Sequence, residues 1–182
     1  MEKYILTEET KKLTANTTLH RIQAIRDFGD VKSGDLGGWI EKEDNLSHYG
    51  DCWVYDNALV NGNAYVSHYA RVFGNAQVCD KAQVGGYAQV YGNTLVNGYA
   101  QVFGDAIIKH MGDFMVFRNT WSSGRWFTWT RSNNMWKVGC FYGTGEELIK
   151  KAYSENEETG RCYEICVNMV QQLFHETCSN DN

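Results

Sequence analysis

From Cys52 to Met111 the chain divides into ten consecutive six-residue units with no insertion or deletion. The third position of each unit is valine from Val54 through Val102 and Ile108 in the last, and the first position is small throughout: Cys52, then alanine except for Thr94. A period of six with one β-branched slot fits neither an amphipathic α-helix nor a series of hairpins. It fits a parallel β-helix in which each unit supplies one short strand and one corner. The valine and the small residue point inward, and the fifth position, usually glycine, makes the bend. One unit cannot bury its valine alone, so the core requires stacked coils.

The ten units resemble the hexapeptide-repeat, left-handed β-helix superfamily, in which three units form one triangular coil. Left-handedness is what this resemblance implies, since a period of six does not determine it. The stretch "IRDFGDVKSGDLGGWIEKEDNLS" followed by "YGDCWVYDNA" is also similar to a group of bacterial and phage proteins that open this way, which implies a phage or prophage source. With three units per coil, residues eighteen apart stack. Asn57, Asn75 and Asn93 then form an amide ladder, and Tyr69 and Tyr87 stack at another corner. Tyr55, Phe73 and Tyr91 form an aromatic column flanked by Trp53, Arg71 and Gln89, a contiguous surface that is expected to pack on the terminal segments or on a second copy, or to receive a foreign partner.

The flanks differ from the repeat. Residues 1–51 are mixed and charged, with strand-like alternation around Leu19–Ala24 and turns in "FGDVKSGDLGG", and are assigned as an N-terminal cap. Residues 112–182 are rich in tryptophan and are expected to form a small α+β domain. "FMVFRNT" and "GRWFTWTRSNNMWKVGCFYGT" read as antiparallel strands. Thr144 and Glu147 form a capping box for one helix. A last helix, about Gly160 to His175, is expected to turn Cys162, Ile165, Cys166, Met169 and Leu173 inward. The fold class expected is therefore mainly β, a left-handed parallel β-helix over residues 52–111 between a cap and an α+β domain that closes its open end.

Bulk properties narrow the function. The formal charge of -5 comes from 17 basic and 22 acidic residues without long blocks, which disfavours an extended nucleic-acid surface. The six cysteines include no CxxC pair, and Cys162 and Cys166 are read as packing residues. With no membrane-length apolar run or signal pattern, a cytoplasmic protein is expected.

For chemistry, the resemblance implies acyl transfer with a histidine base in a cleft between subunits, or a three-histidine metal site of the carbonic-anhydrase kind. His68 and His110 occupy glycine slots but lie on different corners, so they do not share a metal, and no metal or other cofactor is expected. His48 falls in a valine-type slot ahead of the repeat and is read as a capping residue. No inserted loop interrupts the hexads to build a cleft. The strand "RWFTWTR" sets Arg125, Phe127, Trp129 and Arg131 on one face and Trp126 with two threonines on the other, a pattern suited to a nucleotide or to core packing. These readings favour a non-enzymatic, phage-encoded binding protein that inhibits a host defence component, as an anti-CRISPR-like protein inhibitor or a nucleotide-signal sponge. Its partners would be a host protein or a nucleotide, and the chain is expected to be a homo-oligomer. The alternatives are an acyl- or acetyltransferase with His68 or His110 as base, and a self-associating structural β-helix.

Overall fold

The computed structural model describes residues 2–178, with side chains through residue 174. A hairpin of β1 (Tyr4–Lys12) and β2 (Thr18–Ala24) leads antiparallel into β3 (Leu36–Ile40). Ten two-residue strands follow at six-residue intervals. They are β4 (Trp53–Val54), β5 (Leu59–Val60), β6 (Tyr65–Val66), β7 (Arg71–Val72) and β8 (Gln77–Val78), then β9 (Gln83–Val84), β10 (Gln89–Val90), β11 (Leu95–Val96), β12 (Gln101–Val102) and β13 (Ile107–Ile108).

These strands form three parallel ladders, β3-β5-β8-β11, β4-β7-β10-β13 and β6-β9-β12, in which partners within the repeat are eighteen residues apart. The hexad therefore builds a three-sided parallel β-solenoid. Every valine slot and the small residues two positions earlier are buried in one continuous core. The parallel ladder begins before the regular repeat, because Trp39 and Ile40 pair with Leu59 and Val60, and Leu46 bridges Val66.

Backbone hydrogen bonds in the solenoid run mostly, though not wholly, one way along its axis: the strand registers include a return bond between paired strands, from Val72 N to Trp53 O, while the bonds flanking the strands and at the corners run upward. Each lower coil donates N–H to a carbonyl above, as in Trp53 N to Ala70 O (3.1 Å) and Tyr55 N to Val72 O (2.8 Å). The first coil is thus left with an excess of open carbonyls and the last with an excess of open N–H groups, and the two ends are closed by opposite chemistry. At the N-terminal end the fully buried Lys3 ammonium donates to Gly50 O (3.0 Å), Cys52 O (2.7 Å) and Cys52 Sγ (3.3 Å). The Tyr4 hydroxyl donates to Leu46 O (2.8 Å). At the other end Thr128 Oγ1 accepts from Gln101 N (2.9 Å) and Ser132 Oγ from Ile107 N (2.7 Å). Asp113 Oδ2 accepts from both Lys109 N and His110 N at 2.7 Å. Burial lowers the pKa of Lys3, the cost of supplying a cation as the donor.

Those acceptors belong to the C-terminal domain, an antiparallel sheet of β14 (Phe114–Arg118), β15 (Trp126–Thr130), β16 (Met135–Val138) and β17 (Phe141–Gly143). On one face lie α1 (Gly145–Glu155) and α2 (Glu157–Cys178). The capping box forms as the spacing predicts, with Thr144 Oγ1 accepting from Glu147 N and Glu147 Oε2 from Thr144 N. The expected inner stripe of the last helix is corrected. Thr159, Tyr163, Cys166, Val167 and Val170 are buried, whereas Ile165, Met169 and Leu173 are exposed. Gly160 lies so close to the Tyr153 ring of α1, and Gly145 to Val167, that the helix rotation is set by these contacts rather than by the widest apolar stripe. Among the described residues no helix is long and apolar enough to cross a membrane.

The domain docks through Tyr142, whose hydroxyl donates to Phe103 O (3.3 Å), and through Trp126, stacked on Tyr99 at 4.4 Å. Gly104 has φ +69°, and a Cβ there would coincide with the Tyr142 hydroxyl; Gly98, at φ +64°, has open space around it. Gly98→Ala should cost about 1–2 kcal/mol from left-handed backbone strain alone. Gly104→Ala should cost clearly more and loosen the C-terminal domain, a difference readable from urea unfolding and tryptophan fluorescence.

Candidate functional site

Nine successive solenoid corners, from residue 56 to residue 104, begin with a residue at positive φ. Glycine fills six of them without steric cost. Asp56, His68 and Asp80 adopt the same left-handed conformation with φ of 52°, 61° and 61°. The two aspartates have a local reason, since each carboxylate accepts an N–H one coil higher: Asp56 from Gly74 N (3.0 Å) and Asp80 from Gly98 N (2.9 Å). His68 makes no such axial bond. Its ring is exposed, with Nδ1 2.9 Å from Ser67 Oγ.

The corner beneath His68 is also irregular. Below it the ladder offset is nineteen residues (Glu41 N to Val60 O, Ser47 N to Val66 O), and beyond it seventeen (Trp53 N to Ala70 O). The segment from Ser47 to Cys52 therefore contains two extra residues. The regular hexads are uninterrupted, as the sequence indicates, and this insertion lies just before them. The valine-type slot belongs to Leu46. His48 stacks instead on Tyr4 at 4.3 Å and accepts from Lys3 N.

The displaced loop opens a cavity of about 350 Å³ lined by Ser47, Tyr49, Gly50, Tyr65, Ser67, His68 and Tyr69. Gly50, at φ +72°, is required because a Cβ would run into the His68 carbonyl. Tyr69 stacks on Tyr87 at 4.8 Å and 7°, as the eighteen-residue spacing predicts. Ser67 is buried, and Gly85, one coil above it, has no side chain and is overlain by the Phe103 ring. A histidine with one ring nitrogen tethered, its ring exposed and tyrosines around it has the components of a general-base site. Sequence reasoning singled out Tyr69 but missed Ser67, Tyr49 and Tyr65. The available signal was the eight-residue step from Leu46 to Val54 where six is the rule.

The other sequence candidates are dispersed. His110 does not share the left-handed corner geometry: its φ is -133°, and it caps a short 3-10 turn outside the cavities described here. Trp53 is buried beneath the N-terminal segment, in edge contact with Tyr4 and Phe28, so it is not part of a surface face. Phe73 and Tyr91 do stack, at 4.6 Å. Tyr55 turns to donate to Asp30 Oδ1 (2.9 Å), which also pairs with Arg71 (3.0 Å), and burial with that carboxylate raises the tyrosine pKa. These residues and Gln89 border a shallow cavity of about 240 Å³. The amide ladder forms between Asn75 and Asn93 (3.1 Å).

In "RWFTWTR", Phe127 and Trp129 are domain core and Trp126 packs on the solenoid. Arg125 pairs with Glu155 and Arg131 lies over Phe174. Trp129 and Arg131 both lie against Phe174 and line one cavity of about 400 Å³, whereas Arg125 borders a different cavity beside Glu155. Among the described residues no three His, Cys, Asp or Glu side chains converge.

If His68 is held in place for function rather than for stability, His68→Gly should stabilise the fold. The expected gain is about 1 kcal/mol from relief of the left-handed conformation. Asp80→Gly should give no such gain, since it also removes a charge-assisted bond of about 1.5–3 kcal/mol. Parallel thermal melts of the two variants test the contrast.

Comparison with known proteins places the solenoid. A family profile described as YdcK Beta solenoid repeat matches residues 88–102. A relative from Escherichia coli (strain K12), described as "Uncharacterized acetyltransferase YdcK", is 40% identical over 67 residues, covering 33% of this chain and 21% of that protein. The match thus spans about a fifth of the relative's length. This overturns the expectation of a non-enzymatic host-defence inhibitor, whether anti-CRISPR-like or a nucleotide sponge, because the relationship runs to a protein described as an acetyltransferase. The relative is bacterial, and the comparison lends no support to a phage source. The hexapeptide-repeat β-solenoid of this chain is related to that of YdcK-type bacterial proteins.

Proposed function

We propose that the chain is an acyltransferase of the hexapeptide-repeat type, moving an acetyl or similar acyl group from a thioester to a hydroxyl or amine acceptor. The observation that carries this reading is His68: an exposed imidazole held at positive φ, tethered to Ser67, on a tyrosine-walled cavity that a two-residue insertion opens. The description of the E. coli relative as an acetyltransferase supports it.

In this reading Nδ1–H of His68 donates to Ser67 Oγ, which leaves Nε2 with its lone pair towards solvent. Nε2 takes the acceptor's proton as its oxygen or nitrogen attacks the thioester carbonyl. The tetrahedral intermediate collapses, the C–S bond breaks, and the departing thiolate takes the proton back from the imidazolium. Ser67 is a positioning residue, and Tyr49, Tyr65 and Tyr69 form the walls. The same reading carries left-handed winding, a cytoplasmic location and packing of copies through the Phe73–Tyr91 column.

The test is thiol release from acetyl- and longer acyl-coenzyme thioesters across a panel of sugar, amine and alcohol acceptors. His68→Ala should lower kcat/KM by at least about 100-fold, and His110→Ala should leave it unchanged. Full turnover in His68→Ala would remove the base assignment, and failure of the wild-type chain to bind or turn over any acyl thioester would remove the function.

A further inference from the structure

The C-terminal sheet ends in an edge that nothing in the described chain covers. β14 is the outermost strand, and its bonding to β15 follows the odd-numbered residues, since Arg131 N donates to Asp113 O and Asn119 N to Arg125 O. By the alternation of an antiparallel ladder, the N–H and C=O groups of Phe114, Val116 and Arg118 point away from β15. None of these groups has a backbone partner among the described residues. The strand reads Phe-Met-Val-Phe-Arg. It lacks the devices that normally blunt an edge, proline or bulge, and its single charge sits at one end.

Beside this edge lies an apolar groove of about 390 Å³ between β14 and α2, lined chiefly by Phe117, Trp121, Cys162, Ile165, Cys166 and Met169. Ile165 is 68% exposed, Met169 42% and Trp121 77%, values that belong to an interface rather than to a finished surface.

We propose that a second copy of this chain covers the edge, with β14 pairing antiparallel to its equivalent about a two-fold axis at Val116. Three features select a second copy over another occupant. Open N–H and C=O groups call for an extended backbone, which an alkyl ligand in the groove would leave unsatisfied. Antiparallel pairing about an axis normal to the sheet keeps both helical layers on the same face, so the α2 stripe of one copy meets the α2 stripe of the other. The centre of the contact is neutral, with Val116 opposite Val116 and Arg118 carried away from the axis, so two like-charged chains meet without opposing charges. The result is a continuous eight-stranded sheet. This dimer does not depend on the acyltransfer reading and uses a different surface from the Phe73–Tyr91 column.

Sedimentation equilibrium of the full chain from micromolar to hundreds of micromolar should give twice the 20.8 kDa chain mass, or an even multiple of it. Val116→Pro removes an outward N–H that β15 does not use, and Ile165→Glu places a charge at a position exposed in the single chain. Each should halve the assembly mass, including in a Phe73→Glu background. Hydrogen exchange at the Phe114, Val116 and Arg118 amides should be at least ten-fold slower in the wild-type assembly than in Ile165→Glu. If Val116→Pro fails to fold, Ile165→Glu and the exchange pattern decide the matter. A monomer throughout the range, an odd-numbered mass, or an assembly unchanged by Ile165→Glu with fast exchange at those amides would overturn the proposal.

Discussion

A parallel coil is polar along its axis, and the rest of this molecule answers to that fact. In the solenoid alternate strand residues also point both ways, but the bonds that flank each strand and those at the corners, such as Trp53 N to Ala70 O, Tyr55 N to Val72 O and Asn57 N to Gly74 O, donate towards the C-terminal end and outnumber the return bonds between paired strands. The N-terminal end therefore needs donors and the C-terminal end acceptors. Lys3 and Tyr4 supply the former, and Thr128, Ser132 and Asp113 the latter. The two flanking regions are unlike in sequence because they solve opposite hydrogen-bonding problems. This also explains a lysine fully buried at the third residue of the chain, where it has three acceptors within reach.

The same regularity makes departures from it informative. Within the repeat, left-handed corners are glycine or an aspartate that bonds the next coil, and both are structural solutions. His68 is neither. It sits above the one place where the coil takes up two extra residues, and strain together with an opening is the combination expected of a residue kept for chemistry. The acyltransferase reading rests on that coincidence, and the solenoid's relationship to a YdcK-type protein gives it context.

Much of the fold was legible in the residues. The valine slots at Val54 through Ile108 imply an inward β-branched row, and the eighteen-residue spacing anticipates the stacked Tyr69–Tyr87 and Phe73–Tyr91 pairs. The Thr144 capping box was equally clear because its partners are three residues apart. The candidate site was legible only in part. His68 stands out as a histidine in a glycine slot, but the irregular offset beneath it arises outside the repeat, where no periodicity marks the strand containing Ile40. The same limit misplaced His48 and left Trp53 on a surface that the N-terminal segment in fact covers.

The sequence by itself determined the repeat, its six-residue period, its inward row of valines and its outward columns, because these follow from local spacing repeated ten times. Only the tertiary structure decided which corner opens into a cavity, how α2 is rotated and which strand edge stays unpaired. Those outcomes depend on contacts between distant segments, Gly160 against Tyr153, Gly50 beneath His68 and the ladder offset between Ser47 and Val66. A periodic pattern specifies what each residue does relative to its neighbours six and eighteen away. It does not specify where the pattern meets segments that do not share its period.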